Sequence, residues 1–405
     1  MFSFVNSHYK IFLTFFSLFI VVIVANAQNN LPPSLSDDAS ISVLTCAPGE
    51  ELYSVFGHTA IRVSDPVNEL DLVFNYGTFD FNTPFFYLKF GHGNLDYLLS
   101  VAPFKRFMRE YFMSGRSVWE QQLALSGTQK ENLFEALIVN AQPANRAYRY
   151  DFFYDNCATR VADIILDQYP PQKIEFTTKE ASPPITFRDA IHPYLSPHPW
   201  TKLGIDLILG APADAETDSV SIMFLPDYLM AQFSGIRINS GNKNDLLVSE
   251  TNVLLDFSES IEDTASWWSP SFTLWLVFVL VLLLSLAEKS GNINLKLLDI
   301  FLFSFVAVLG FVIFYIGWIS NHQVTSPNWN ILWANPLWIL LITNVTRRFR
   351  KFICLLEGAA MLIFVGLMFT GVQFFPSEVF PIILILMIRG ILPFCGKIKI
   401  TPSKN

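Results

Sequence analysis

Charge is scarce in this chain: 15% of its 405 residues are charged and 52% are hydrophobic. A surface so poor in charge excludes an ordinary soluble globule of this length and fits a chain that lies partly in a bilayer. Basic residues are in the minority, 27 Lys and Arg against 35 Asp and Glu, for a net charge of -8. With no basic surplus to hold a phosphate backbone, nucleic acid is not an expected partner. Cysteine is too rare for a disulfide scaffold, with four in the whole chain. No ligand-spaced pair of Cys or His occurs, so a metal site drawn from His58, His92 and Cys157 is a weak reading. No cofactor is expected.

Long apolar runs are missing from residue 28 to about residue 265. Ahead of that stretch, residues 1–27 read as an export signal. Lys10 is a weak basic flank, Ile11 to Val24 is apolar, and Ala25-Asn26-Ala27 is a small-x-small cleavage site. An uncleaved anchor is the alternative, and either form sends the following segment out of the cytoplasm. No cysteine follows the cleavage site, so the chain is not itself an obvious lipoprotein. Residues 28–268 then form an outer domain of α+β type. Strands are expected at Ala39 to Thr45, Thr59 to Val63, Leu70 to Tyr76 and Gly115 to Leu125. Helices are expected at Pro103 to Phe112, Gln129 to Asn140 and Cys157 to Gln168, the last with Val161, Ile164 and Ile165 on its apolar face. The part from 171 to 268 is proline-rich and then mixed, and reads as a lid, a second lobe or a collar at the membrane.

Composition changes abruptly after Trp267-Trp268-Ser-Pro270. Five apolar segments follow, predicting an all-α membrane domain over 269–396: Phe272 to Ala287, Leu297 to Ile319, Ile331 to Val345, Phe352 to Thr370 and Val379 to Phe394. Two of the loops between them, Ser320 to Asn330 and Gly371 to Glu378, lack Lys and Arg altogether. The others hold Lys289 and Lys296, then Arg347, Arg348, Arg350 and Lys351, and the tail 397–405 holds Lys397, Lys399 and Lys404. Basic residues stay in the cytoplasm, so the first helix runs inward and the tail is cytoplasmic. The export signal and the charge pattern agree in placing the outer domain outside the cytoplasm. Trp267, Trp268, Trp275, Trp318, Trp329 and Trp333 gather at the predicted outer face, and Pro336 and Pro381 fall near outer helix ends.

Two segments about a hundred residues apart carry the candidate chemistry: Phe56-Gly-His-Thr-Ala-Ile-Arg-Val63 and Tyr154-Asp-Asn-Cys-Ala-Thr-Arg160. Asp155 or Asn156 can cap the second helix, which puts Cys157 in its first turn. There the unpaired backbone N–H groups favour a thiolate and can receive an oxyanion. His58, between Gly57 and a short strand, is the candidate base and acid. Three plainer readings compete. Cys157 is a small buried hydrophobe, His58 is a turn residue, or Cys46 and Cys157 form a disulfide.

The wider pattern resembles the Lnb family, the lipoprotein N-acyltransferases of Bacteroidota. Thr45-Cys-Ala-Pro-Gly-Glu50, Leu52-Tyr-Ser-Val-Phe-Gly-His-Thr-Ala-Ile-Arg62, Phe74-Asn-Tyr-Gly-Thr-Phe-Asp80 and Arg149-Tyr-Asp-Phe-Phe-Tyr-Asp-Asn-Cys-Ala-Thr-Arg160 carry the likeness in the outer part. His198-Pro-Trp200 and Gly204-Ile-Asp-Leu207 extend it, as do Asn321-His-Gln-Val-Thr325 and Asn328-Trp-Asn-Ile-Leu-Trp-Ala-Asn-Pro336. More distantly, the histidine-first order resembles the permuted papain-like acyltransferases and phospholipases. The resemblance implies a fatty acyl chain passed from a membrane phospholipid to Cys157 as a thioester, then to the α-amine of a diacylated lipoprotein. It also implies a third residue orienting His58, for which Asn75, Asp71 and Tyr76 are the candidates. Arg62 and Arg160 are candidates for the lipid phosphate, or else for pairing with Asp71 and Asp155. Asn156, His322, Asn328 and Asn330 are further candidates for substrate head groups, with Thr325 in the same loop as His322. The same pair would also serve a membrane-anchored cysteine phospholipase or amidase, and a non-enzymatic lipid-binding protein would use neither residue.

Overall fold

The computed structural model describes residues 34–177, 184–239, 244–257, 268–291, 293–343 and 345–392. The export signal, Trp267, Cys395 and the basic tail lie outside the described residues. The first half is built on one antiparallel sheet. Its strands are β1 (Ser40–Cys46), β2 (His58–Asp65), β3 (Leu70–Thr78), β4 (Asp96–Pro103), β5 (Val118–Leu123) and β6 (Ala147–Arg149). A smaller sheet holds β7 (Ile174–Glu175), β8 (Arg237–Asn239) and β9 (Asn244–Leu246), and β10 (Val248–Leu255) returns to the large one. The large sheet has the order β10-β5-β1-β2-β3-β4-β6. A strand from the section that is hardest to read in the sequence therefore closes one edge.

Alternation along β2 and β3 gives the sheet two buried faces. Ile61, Val63, Phe74 and Tyr76 face the helices Gly127–Ala141 and Cys157–Leu166. Ala60 and Val73 face the helix Phe104–Met113, through Phe107 and Tyr111. These are the helices and most of the strands the sequence predicts. The short helix Phe86–His92 and strands β4, β6 and β10 are additions, because their segments lack a clean periodicity.

In the second half, Pro270–Lys289 and Lys296–Ile319 are long and apolar enough to cross a membrane. The helix Arg347–Leu367 starts in the basic cluster, and the apolar segment Val379–Ile391 ends in a π-helical turn. The third expected helix, Ile331 to Val345, is corrected. It is two 3-10 stretches, Trp329–Leu332 and Pro336–Ile342, broken at Asn335-Pro336. Proline ends the first stretch because it has no N–H to donate. Irregular backbone is tolerated at membrane depth only when buried in protein, and here it is the core: Trp333 and Trp338 are fully buried. Their indole N–H groups donate to Asn330 Oδ1 and Trp333 O, at 3.0 and 2.9 Å. At the cytoplasmic end Arg389 joins three segments through Glu288 (2.7 Å) and Asp299 (2.7 and 2.8 Å).

The described residues of the 171–268 section contact both halves. Leu203 and Leu207, on the helix Pro199–Ile208, sit in the membrane domain's core. Gly210 and Ala211 donate backbone hydrogen bonds to Val324 and Pro327. Arg188, buried, bridges Asp206 and Asp214, and Asp214 in turn accepts the Phe374 N–H at 3.0 Å. Of the three readings, a collar fits these contacts.

Gly310 is where the broken third segment presses closest. A Cβ there would lie 2.5 Å from Asn335 N. Gly310→Ala is therefore expected to cost about 1–3 kcal/mol by overpacking, read as a lower thermal midpoint of the protein in lipid nanodiscs.

Candidate active site

His58 opens β2 directly after Gly57, which takes φ +78°. A side chain at 57 would put its Cβ 2.8 Å from the Cys46 carbonyl. Glycine is thus what lets the chain enter the sheet this close to β1. Continuing the β2–β3 register from Ile61 opposite Phe74 sets Asn75 across from Ala60. His58 is then its diagonal neighbour at the very start of the strand, where Cys157 also reaches it. His58 Nε2 lies 2.5 Å from Asn75 Oδ1, which leaves Nδ1 for the thiol.

Cys157 is the first residue of its helix, and Asn156 is the cap. Asn156 Oδ1 accepts from the N–H groups of Ala158 (2.7 Å) and Thr159 (3.0 Å). Its amide donates to Phe152 O and Phe224 O. Asn156 is almost wholly buried, so it fixes the helix start and does not face a ligand. The cap leaves the Cys157 N–H as the helix-start donor it does not use. Gly77, at φ +89° in an irregular stretch of β3, fits against the pair: a Cβ there would lie 3.5 Å from Cys157 Cβ and 3.9 Å from His58 Cε1. A glycine inside a strand pattern is the signal that would have found it.

Electrostatics separate the two cysteines of this half. Burial by itself pushes the Cys157 thiol up. The charge of His58, the hydrogen bond from it, and the N–H groups of Thr59 and Ala158 outweigh burial and bring the thiol below its ordinary value. For His58, burial favours the neutral ring, but the Cys157 charge and hydrogen bonds to Cys157 and Asn75 raise it above the ordinary value. Both shifts favour a thiolate–imidazolium pair. Cys46 is free, as is Cys157, so the disulfide reading fails. Cys46 is fully buried on β1, and burial pushes it up to about 12.

The other candidates are placed elsewhere. Asp71 lies four residues from Asn75 along β3, roughly 13 Å at strand rise. It takes a bidentate pair from Arg62 at 2.8 and 3.0 Å. Arg62 also reaches Glu120 and stacks 3.5 Å over Phe104, so its charge is spent. Tyr76 points to the opposite face and accepts from Asn140 at 3.0 Å. Neither Asp71 nor Tyr76 touches His58, which corrects that part of the expectation. Arg160 pairs with Asp155 (2.5 and 2.8 Å) and lies 3.6 Å over Tyr148. The amides of Asn328 and Asn330 are buried and donate to the carbonyls of Leu207 and Ile208. They brace the collar, and Thr325, buried, bonds Ile316 O and His322 O. His322 lies against Phe90 O at 3.2 Å, and His92 bonds Tyr315 at 2.8 Å, away from Cys157. Among the described residues no group of three His, Cys, Asp or Glu could hold a metal.

The pH dependence of alkylation follows with a definite sign. A thiol held low by an imidazolium keeps reacting as pH falls below the ordinary thiol value, until the pair takes up a proton. Iodoacetamide at neutral pH should label Cys157 and leave Cys46 untouched, as read by peptide mass mapping. In His58→Ala the charge and hydrogen bond that do most to hold the thiol down are lost, so the labelling midpoint should rise. An unchanged midpoint would contradict the pairing.

Two family models match the chain: the Lnb N-terminal periplasmic domain over residues 34–192 and the Lnb transmembrane domain over residues 262–399. No curated protein and no solved structure matches. The papain-like likeness therefore rests on the local arrangement of strand histidine and helix-start cysteine alone. A periplasmic domain followed by a transmembrane domain is what the two matches describe, and the chain belongs to the Lnb family of lipoprotein N-acyltransferases.

Proposed function

We propose that Cys157 is the nucleophile of this N-acyltransferase, His58 its acid and base, and Asn75 the residue that orients His58. The donor is a membrane glycerophospholipid, and the acceptor is the α-amine of a diacylglyceryl-cysteine. The observation that carries the reading is the capped helix start. It holds Cys157 in hydrogen-bond contact with a histidine whose other ring nitrogen is fixed at 2.5 Å by Asn75.

The thiolate attacks the ester carbonyl of the lipid, and the oxyanion forms beside the Cys157 N–H at the positive end of the helix. Collapse breaks the ester C–O bond. His58 gives its proton to the departing lysophospholipid oxygen and becomes neutral, and the acyl chain stays on sulfur as a thioester. The neutral amine then attacks the thioester carbonyl. His58 takes the proton the amine loses, the C–S bond breaks, and the thiolate–imidazolium pair is restored with an amide as product. Asn75 holds the ring in one orientation for both transfers.

The membrane domain supports the choice of substrates. Each methylene drawn from hydrocarbon into water costs roughly 0.8 kcal/mol. A donor and an acceptor with long acyl chains are best brought together where their tails remain in the bilayer. The collar fixes the outer domain over that bilayer through the Gly210–Val324 and Asn328–Leu207 contacts.

The test compares products with and without a diacylated lipopeptide, using phospholipid nanodiscs. The native protein should release lysophospholipid and form the N-acyl lipopeptide together, with little free fatty acid. Cys157→Ala should form neither product while keeping its thermal midpoint. Free fatty acid at the same rate in both conditions would identify a phospholipase instead. Full transfer by Cys157→Ala would remove the mechanism.

A further inference from the structure

The helix Phe86–His92 is inverted relative to an ordinary surface helix. Its buried residue is Phe86, and its exposed ones are apolar: Tyr87 is 79% exposed, Leu88 71% and Phe90 53%. Phe85, at φ +59°, and Phe81 are exposed beside it, at 74% and 57%. A soluble domain does not leave so contiguous a ring cluster in water without a use.

What lies next to the cluster identifies its occupant. The end of this helix is bonded to the outer end of the membrane-spanning helix Lys296–Ile319. His92 Nδ1 meets Tyr315 Oη at 2.8 Å, Asn321 N–H donates to His92 O at 2.9 Å, and His322 Nε2 lies 3.2 Å from Phe90 O. Phe311 stacks on Tyr315 and Phe314 on Trp318, so a row of rings on the spanning helix runs up to the same junction. The cluster therefore sits where the bilayer ends. Lys89 is partly exposed between its rings and has the reach to meet a lipid phosphate.

A chain of ring contacts leads inward from the same cluster. Phe81 meets Phe79 edge-on at 5.0 Å, Phe79 meets Tyr97 at 5.3 Å, and Tyr97 stacks on Tyr150 at 4.1 Å. Tyr150 is half-buried and, like Cys157, packs against the same core. Tyr53, from the loop that leads to His58, closes over Phe79 and Phe81 at 6.0 and 6.4 Å. We propose that the Phe81–Phe90 segment is seated in the outer leaflet of the bilayer and that its rings form the apolar slide along which a phospholipid acyl chain reaches Cys157. The slide rests on the acyl-transfer reading above, whereas the seat does not.

Two measurements on the full chain in phospholipid nanodiscs decide it. In the first, a nitroxide is attached at Leu88→Cys in a Cys157→Ala background, and its collisions with oxygen and with a water-soluble nickel chelate are compared, after subtraction of the background protein. Oxygen collisions should dominate, as in hydrocarbon. Dominant nickel collisions would put the helix in water, as a face for a polypeptide partner, and would overturn the proposal. In the second, Tyr87→Ser/Leu88→Ser is tested for acylation of Cys157 from bilayer phospholipid and from monomeric dihexanoyl phospholipid. The ratio of the two rates should fall about tenfold, roughly the effect of two methylenes held in water. An unchanged ratio would overturn the slide. If native protein acylates Cys157 from neither donor, the acyl-transfer reading fails and the slide with it, while the nitroxide result still decides the seat.

Discussion

The proposed chemistry depends on one contact, between Cys157 at a helix start and His58 at a strand start. A thiolate in a partly buried site is costly unless opposite charge and N–H donors surround it. Here the donors are backbone groups of Thr59 and Ala158 and the charge is His58. Backbone donors cannot be repositioned by rotamer changes, so the site is as rigid as the sheet and helix that carry it. The buried Asn156 cap and the close approach allowed by Gly57 bring those two elements together. The rest of the sheet supplies the stiffness: five long antiparallel ladders keep β2 in register with β1 and β3.

Register also sets apart the charged residues that have no part in the proposed chemistry. Arg62 and Asp71 are one diagonal pair on the β2–β3 face, and His58 and Asn75 are another, two pairs along the same strands. The first is closed on itself and on Glu120, so it stabilises and does nothing more. The second is open at the sheet's end, where Cys157 completes it. Position along a strand, and not residue type, separates the closed Arg62–Asp71 pair from the pair proposed to be catalytic.

Much of this was legible in the sequence. Alternation predicts β1, β2 and β3, the Asn156–Cys157 helix start follows from capping chemistry, and the basic residues fix which side of the membrane each loop occupies. Three things were not legible. Choosing Asn75 over Asp71 and Tyr76 requires the register, since a one-residue change of position reverses the face and a four-residue change moves the group along the strand. The break at Asn335-Pro336 is hidden by an apolar run that reads as a helix and is in fact irregular backbone buried around Trp333 and Trp338. The Asn328 and Asn330 amides look like a polar loop awaiting a ligand. Their partners are carbonyls 120 or more residues earlier in the chain, which no local pattern reveals.

A lipid-fed cysteine must pass through a covalent state, and that state is the most direct check. The full-length protein in phospholipid nanodiscs, without lipopeptide, is quenched in acid and its peptides are weighed. The account predicts one fatty acyl group on the Cys157 peptide, removed by neutral hydroxylamine and absent after lipopeptide is added. An acyl group on Cys46 or on any other residue, or N-acyl product formed while Cys157 never carries one, would contradict it.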